Sequence, residues 1–546
     1  MRGEGGTRRI VVIGGGIAGL ATAALLARDG HSVDLVEARD AFGGRAGTWE
    51  QDGFRFDTGP SWYLMPDVFE RFFGLLGTSA AAELDLRQLD PAYRVFFEPD
   101  SGPSGGTGSP PAPPSAAHAE RDPIDISAQT ATNVERFEAV EPGAGRALER
   151  YLASARDTYD VALRRFLYTS FTSISPFLHA DVVRRAHRLV PLLLGSLERF
   201  VARRFREPRL RQILGYPAVF LGSSPDRAPS LYHLMSAMDL TGGVLYPQGG
   251  FGHLMDVLVR LARENGVRLH AHTAATEILT ETDRGHRGRG RGRRARTTGV
   301  RVRDQTPGGG SERVLPADVL VSTADLHHSE TTLLPRELQT YPESWWDRRT
   351  SGPGGVLVML GVRGSLPELA HHSLFFTRDW PANFAAIAGG TVPDPASAYV
   401  CRPSATDASV APAGHENLFI LVPVPADPGL GHGGTDGGGD PAIESIAEAA
   451  IEQVSQWAGV PDLTERIVVR RTVGPADFAE DLGAWRGGIL GPAHTLAQSA
   501  FFRAGNASKR VAGLYYAGAG TLPGIGLPMC LISAELVQQR LREALR

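Results

Sequence analysis

Apolar and polar positions change their period three times within the first forty residues. Ile10–Ile13 is a short unbroken apolar run, Gly14–Gly16 interrupts it, and Ile17–Ala27 continues without a charge. A polar break at Arg28–His31 precedes a second short run, Val33–Val36, which closes on Glu37. Read as one stretch, Ile10–Ala27 stands behind a basic start and invites comparison with a signal peptide or a membrane span. Three consecutive glycines would break a spanning helix near its start, and no small-residue cleavage pattern follows. The pattern therefore predicts strand, glycine turn, helix, strand and acid, and no targeting segment is expected.

Later segments supply elements that complete such a unit. Phe251–Glu264 has helical spacing through Leu254, Leu258 and Leu261. Val267 and Leu269 open a strand whose continuation reaches Ala275 and Ile278, where a backbone can meet an adenine ring. Ala317–Asp325 reads as a further strand, and Leu514–Ala517 runs into glycines at 518, 520, 524 and 526 before a helix from about Leu527. Two segments read as insertions within hairpins: Asp100–Glu120, rich in Gly, Pro, Ser and Ala, and the arginine tract Arg284–Arg296. Gly429–Pro441 is a third loop. From Glu149 to Met238 the period is mainly helical. Val190, Leu193, Leu194, Leu197, Phe200 and Val201 share one helical side, ringed by Arg188, Arg199, Arg203 and Arg204, with Pro191 kinking the segment or starting a second helix. Two readings stay open here: a buried helix with a solvated basic face, or an interfacial segment that meets a bilayer.

In a βαβ unit of this kind Gly14 makes the tight turn, Gly16 admits a pyrophosphate, Gly19 seats the helix on the strand, and Glu37 accepts from ribose hydroxyls. A glycine turn alone occurs in many α/β proteins; the flanking strand, helix and acid make this one specific. The glycines after Leu514 aim a second turn at a helix N-terminus, whose amides can stabilise negative charge on a reduced flavin. A formal net charge of -4 over 546 residues gives no general attraction for nucleic acid, and the arginine tract has no aromatic residue for base stacking. Cys401 and Cys530 are the two cysteines; they suggest no disulfide framework or thiolate zinc site and fit a reducing, cytoplasmic setting. No Ser/His/Asp set, metal cluster or paired carboxylate is legible, His233, His327 and His328 are isolated, and no catalytic residue is assigned.

Four stretches together resemble the phytoene desaturase family of FAD-dependent carotenoid desaturases and isomerases: GGGIAGL with Glu37, GGRAGTWEQDGFRFDTGPSWYLMP, GGVLYPQGGFGHL and LYYAGAGTLPGIGLP. The resemblance implies an α/β protein with a discontinuous Rossmann-like FAD-binding domain (1–90, 240–330 and 500–546). It further implies a mixed-sheet substrate domain (91–135 and 331–499) and a helical cap (136–239) holding the membrane-contact region. By the same resemblance Gly43, Gly44 and Arg45 lie along the FAD phosphates and ribityl chain, and Gly59 and Pro60 pass close to the isoalloxazine. The implied cofactor set also takes in Ile17, Ala18, Ala38, Ala275, Gly518, Gly520, Gly526, Leu527, Pro528 and Met529. Ala519 stands where many flavoproteins carry an Asp, so no carboxylate is assigned there.

The implied reaction removes two hydrogens from a hydrophobic polyene such as phytoene, with hydride passing to FAD and quinone or oxygen as the final acceptor. The expected location is peripheral, on the cytoplasmic face of the membrane. Alternatives are a carotenoid isomerase or ketolase, an FAD amine oxidase, and a prenyl-binding dissociation inhibitor without redox activity. The full glycine set with Glu37 weighs against the inhibitor, and the PSWYLMP and GAGTLPGIGLP forms weigh against the amine oxidase.

Overall fold

The computed structural model describes residues 6–99, 122–172, 175–282 and 295–545. Five strands form a parallel sheet in the order Leu514–Tyr516, Val319–Ser322, Arg9–Ile13, Ser32–Val36 and Arg268–His270. Ile10, Val12, Val33, Leu35, Leu320 and Val321 in it are fully buried, as a parallel sheet covered on both faces requires. The Ile17–Arg28 helix is buried from Ile17 to Ala27, because the parallel strands and the Gly250–Glu264 and Leu527–Ala544 helices all pack against it. Burial all round is why this stretch carries no charge. Among the described residues no helix is long and apolar enough to cross a membrane.

The strand expected from Val267 through Ile278 is two strands. Arg268–His270 closes the parallel sheet, His272 at φ +49° turns the chain, and Thr273–Thr282 pairs antiparallel with Ala295–Asp304 in a second sheet. The hairpin arms are as expected; the arginine tract between them lies outside the described residues except at its end. The Asp100–Glu120 insertion also lies outside them, and its arms, Tyr93–Phe97 and Ile124–Ile126, pair antiparallel.

Those arms form one edge of a seven-stranded mixed sheet with His372–Phe376, Ala398–Cys401, His415–Val424, Gly354–Arg363 and Ile467–Val473. His372–Phe376 runs parallel to Tyr93–Phe97, and the remaining pairs are antiparallel. Packing crosses the sequence boundaries between the layers. Phe54 and Phe56 join Leu357 and Met359 of the seven-stranded sheet, while Tyr341 and Trp346 join Val11 and Ile13 beneath the parallel one.

The middle of the chain is helical, with one correction. The helix Ala180–Leu194 contains Pro191 in its last turn, and Gly195 and Ser196 separate it from a second helix, Leu197–Ala202, whose Arg199 amide is capped by Ser196 Oγ. Pro191 thus lies inside the first helix rather than opening the second. The break redirects the chain, so the single apolar side expected from Val190 to Val201 is divided. Leu192, Leu197 and Val201 are buried, whereas Val190, Leu193 and Leu194 face outward, Leu194 at 70% exposure.

Candidate dinucleotide site

The first glycine turn lies at the C-terminal ends of the parallel strands, where open α/β sheets bind ligands. Gly14 has φ +99°, and its amide donates to the Val36 carbonyl at 2.9 Å. A Cβ added at Gly19 would lie 1.9 Å from the Gly14 carbonyl oxygen, so the helix is seated directly on the turn. Gly16 differs. Its φ of -75° suits any residue, and a Cβ there would meet nothing nearer than the Gly43 carbonyl at 3.7 Å. Neither strain nor packing demands glycine at 16; the space beside it is a cradle that a side chain would fill. Gly43 pairs with this edge through its amide to the Gly15 carbonyl (3.0 Å).

Glu37 is 8% exposed, and its carboxylate is fixed by two amides, Gly15 to Oε2 at 2.6 Å and Arg39 to Oε1 at 3.0 Å. Each oxygen keeps acceptor capacity for a diol. The Thr273 amide donates to the Glu37 carbonyl (2.7 Å) and that of His272 to Arg39 (2.9 Å). These bonds bring the strand carrying Ala275 against the acid, while Ala38 remains exposed.

Arg45 links this turn to the second one. It lines a small cavity with Thr323, Asp325, Ala519 and Gly520; its Nη2 lies 3.6 Å from Asp325 Oδ2, and its buried Nε has no partner. A buried guanidinium donor without an acceptor fits an anionic or hydroxylated ligand in that cavity. A Cβ at Gly59 would lie 2.0 Å from the Arg45 carbonyl, so Gly59 is required for this contact, and Pro60 follows half-buried. Gly518, at φ +110°, approaches Ala18 so closely that an added Cβ would sit 3.4 Å from the alanine methyl. Exposed Gly526 is the N-cap of Leu527–Ala544, with Pro528 in the first turn. The Leu527 and Met529 amides have no carbonyl within the helix to bond. Of the predicted set, Gly16, Gly43 and Glu37 adjoin the first turn, Arg45 shares a cavity with Gly520 of the second, and Gly518 approaches Ala18; Ala275 lies in the strand bonded to Glu37, and Ala38 is exposed beside it.

Several residues were not legible beforehand. Asp325, besides facing Arg45, caps the next helix through the His327 amide (2.9 Å). His494 sits under the second turn: its Nδ1 is 2.9 Å from the Tyr232 hydroxyl and its Nε2 accepts from the Ile525 amide at 3.4 Å. Arg503 lies behind the same turn. A line of groups starts one residue after Pro60, with Ser61 Oγ 2.5 Å from the Tyr399 hydroxyl and that hydroxyl 2.8 Å from His372 Nδ1. Trp62 stacks on the His372 ring at 4.7 Å.

The donor atoms of His371, His372 and Cys401 lie within 4.8 Å of one another, a grouping that the pairing of His372 with Cys401 across successive strands creates and spacing in the sequence does not suggest. Burial pushes His371 down to about 3, His372 well below the usual imidazole range and Cys401 up to about 12, so all three are neutral near pH 7. Of the histidines left unassigned, His233 is a core residue between Ser154 Oγ and the Ser230 carbonyl, lowered by burial to about 4. His327 pairs with Glu343 at the surface.

The sequence profile described as "Flavin containing amine oxidoreductase" matches residues 17–541. The chain is 39% identical over 535 residues to the carotenoid 3,4-desaturase of Haloarcula japonica, covering 98% of each. It is 34% identical over 541 residues to the zeta-carotene-forming phytoene desaturase of Myxococcus xanthus, covering 98% of this chain and 94% of that one. Among solved structures, an oxidoreductase from Methanosarcina mazei superposes with a TM-score of 0.60 at 16% identity, over 97% of this chain and 100% of that one, a likeness of fold.

Proposed function

Because the chain belongs to the flavin-containing amine oxidoreductase family and, within it, to the phytoene desaturases, we propose that it desaturates an acyclic carotenoid with FAD as its cofactor. The observation that carries the reading is 39% identity to a carotenoid desaturase across 98% of both chains. The Gly16 cradle and the unpartnered Arg45 Nε fit the cofactor. Bound FAD supplies the acceptor for a hydride, and the protein's part is to orient an uncharged chain and exclude water.

The residues divide this work. Gly16 and Gly43 would present backbone to the pyrophosphate, Glu37 would accept from the ribose, and Arg45, steadied by Asp325, would donate to the phosphate or ribityl oxygens. A polyene offers no hydrogen bond, so it is held by shape: half-buried Trp62 and Phe220, 5.3 Å apart and backed by buried Tyr93 and Tyr216, offer an aromatic wall beside Gly59 and Pro60. A second carbon must lose a proton as the double bond forms. Ser61 Oγ, the Tyr399 hydroxyl and neutral His372 are the exchangeable groups in line from that wall. Quinone or oxygen then takes the electrons.

The substrate dissolves in lipid, and the protein docks on the cytoplasmic face of the membrane to meet it. Nine of the eleven large hydrophobic side chains exposed among the described residues fall in two segments: Phe177, Leu178, Val183, Val190, Leu193 and Leu194, and Leu496, Phe501 and Phe502. Phe177 and Phe501 join them, ring centroids 6.1 Å apart. Exposed Arg184, Arg188, Arg199 and Arg203 suit anionic headgroups. A cavity of about 620 Å³ includes Ala493 and Thr495 in its wall, between His494 at the second glycine turn and Leu496 in the patch, and serves as the receiving chamber.

Membranes carrying the enzyme, incubated with a panel of acyclic carotenes, should yield products two mass units lighter per step with red-shifted absorption. Products of unchanged mass would assign an isomerase, and products that gain oxygen a ketolase.

A further inference from the structure

Arg503 is a buried cation that forms no ion pair among the described residues. It is 6% exposed, and its guanidinium is spent on three backbone carbonyls: Nε to Thr521 at 3.0 Å, Nη2 to Ala519 at 2.5 Å and Nη1 to Pro492 at 3.4 Å. Its electrostatic neighbours Tyr232 and Cys530 are uncharged near neutral pH, because burial raises both, the thiol to about 11. Burial also pulls Arg503 down to about 10, which leaves it charged. A buried cation without a carboxylate is costly to keep unless an anion arrives.

The bonding shows where that anion belongs. Ala519 and Thr521 lie in the second glycine turn, and both line the cavity shared with Arg45. In a trans peptide the carbonyl and the following N–H point in opposite directions. With the Ala519 carbonyl held by Arg503, the Gly520 N–H is turned away from the guanidinium, and Gly520 itself lines the cavity. The cation polarises that peptide, and its field reaches the cavity through a low-dielectric layer.

We propose that Arg503 is a positioning residue for the reduced cofactor, holding a positive potential behind the Ala519–Gly520 peptide that stabilises the negative charge a hydride brings to bound FAD. The inference rests on the desaturase reading for its source of hydride. The substrate gives up one hydride and, from the neighbouring carbon, one proton; the hydride's charge stays with the cofactor, and the proton leaves through the protein to water. The site thus favours the reduced cofactor as an anion.

The test is the midpoint potential of purified holoenzyme measured against pH, for the parent, Arg503→Lys and Arg503→Gln. The parent should take up one proton per two electrons at pH 5 to 6, where free reduced flavin is neutral and takes up two, a tenfold change in the equilibrium per pH unit, or about 30 mV. Arg503→Gln should disfavour reduction by tenfold or more at equal FAD content, and Arg503→Lys should stay near the parent. Two protons per two electrons in the parent, or a parent-like potential in Arg503→Gln, overturns the proposal. If Arg503→Gln loses FAD, the slope of the parent decides. Holoenzyme that shows the expected slope yet desaturates no carotene removes the substrate reading alone.

Discussion

Two apolar runs, Ile17–Ala27 and Leu189–Leu197, read alike as sequence and end in opposite environments. The first is enclosed by strands and by two helices. The second is cut at Gly195, and of its leucines Leu192 and Leu197 turn inward while Leu193 and Leu194 turn out. An apolar helical period thus reports amphipathicity, whereas burial depends on what covers the face. The first run is covered by elements hundreds of residues away, and the second by nothing among the described residues at its tip.

The sharpest way to break the first half of the comparison is at its seat. Gly19→Val places a side chain where even a Cβ would stand 1.9 Å from the Gly14 oxygen, so the helix cannot sit on the turn. Insoluble protein, or a loss of several kcal/mol of stability in denaturant titration, is expected. Gly16→Val should fold with near-parent stability and purify without FAD, since the protein leaves that volume open. Full flavin content in Gly16→Val would show that the cradle belongs to something else.

The outward half is tested by Val190→Ser, Leu193→Ser and Leu194→Ser combined. This variant should keep FAD and parent stability but lose flotation with anionic liposomes, and salt should weaken the parent's flotation only in part. Leu197→Ser is the contrast. Leu197 is fully buried, and its change should cost about 2–5 kcal/mol of stability. A triple variant that floats like the parent returns the segment to an ordinary cap helix.

A smaller effect is expected at Glu37. Glu37→Ala removes an acceptor for the ribose and for the Gly15 and Arg39 amides, and should weaken FAD retention about tenfold, ~1.4 kcal/mol, in a flavin-fluorescence dilution assay. Glu37→Arg should be worse, because a bulky cation replaces the acceptor. Unchanged affinity in both would show that the carboxylate serves only the turn.

What was legible in advance follows from the same contrast. Gly14 and Gly19 were readable because a turn and a close approach each demand glycine, and Gly16 and Glu37, proposed to meet pyrophosphate and ribose, lie within thirty positions of them. The second turn was readable for a similar reason, from Gly518 to Pro528. Asp325, His494 and Arg503 were not, since each acts through contacts made across the fold, and a lone Arg in SAFFRAGN looks like any surface cation. The Ser61–Tyr399–His372 line joins Ser61 to a strand pair more than three hundred residues further on, beyond any local pattern.

Cys530 tests whether the enclosure of the first run is passive packing. It lies in the Leu527–Ala544 helix, 8% exposed, within the same apolar cluster as Ile17, Ala18 and Ala46. Burial pushes its thiol up to about 11, so near pH 7 it is protonated and a poor nucleophile for covalent attachment to the cofactor. Acid denaturation should therefore release all the FAD into the supernatant after the chain is precipitated. Cys530→Ala should lose on the order of 1 kcal/mol of stability and keep its flavin, as a small buried side chain shortened by one atom does. Flavin colour that stays with the precipitated parent chain but not with Cys530→Ala would mean that the residue bonds the cofactor, and the wall beside the second glycine turn would be reactive rather than inert.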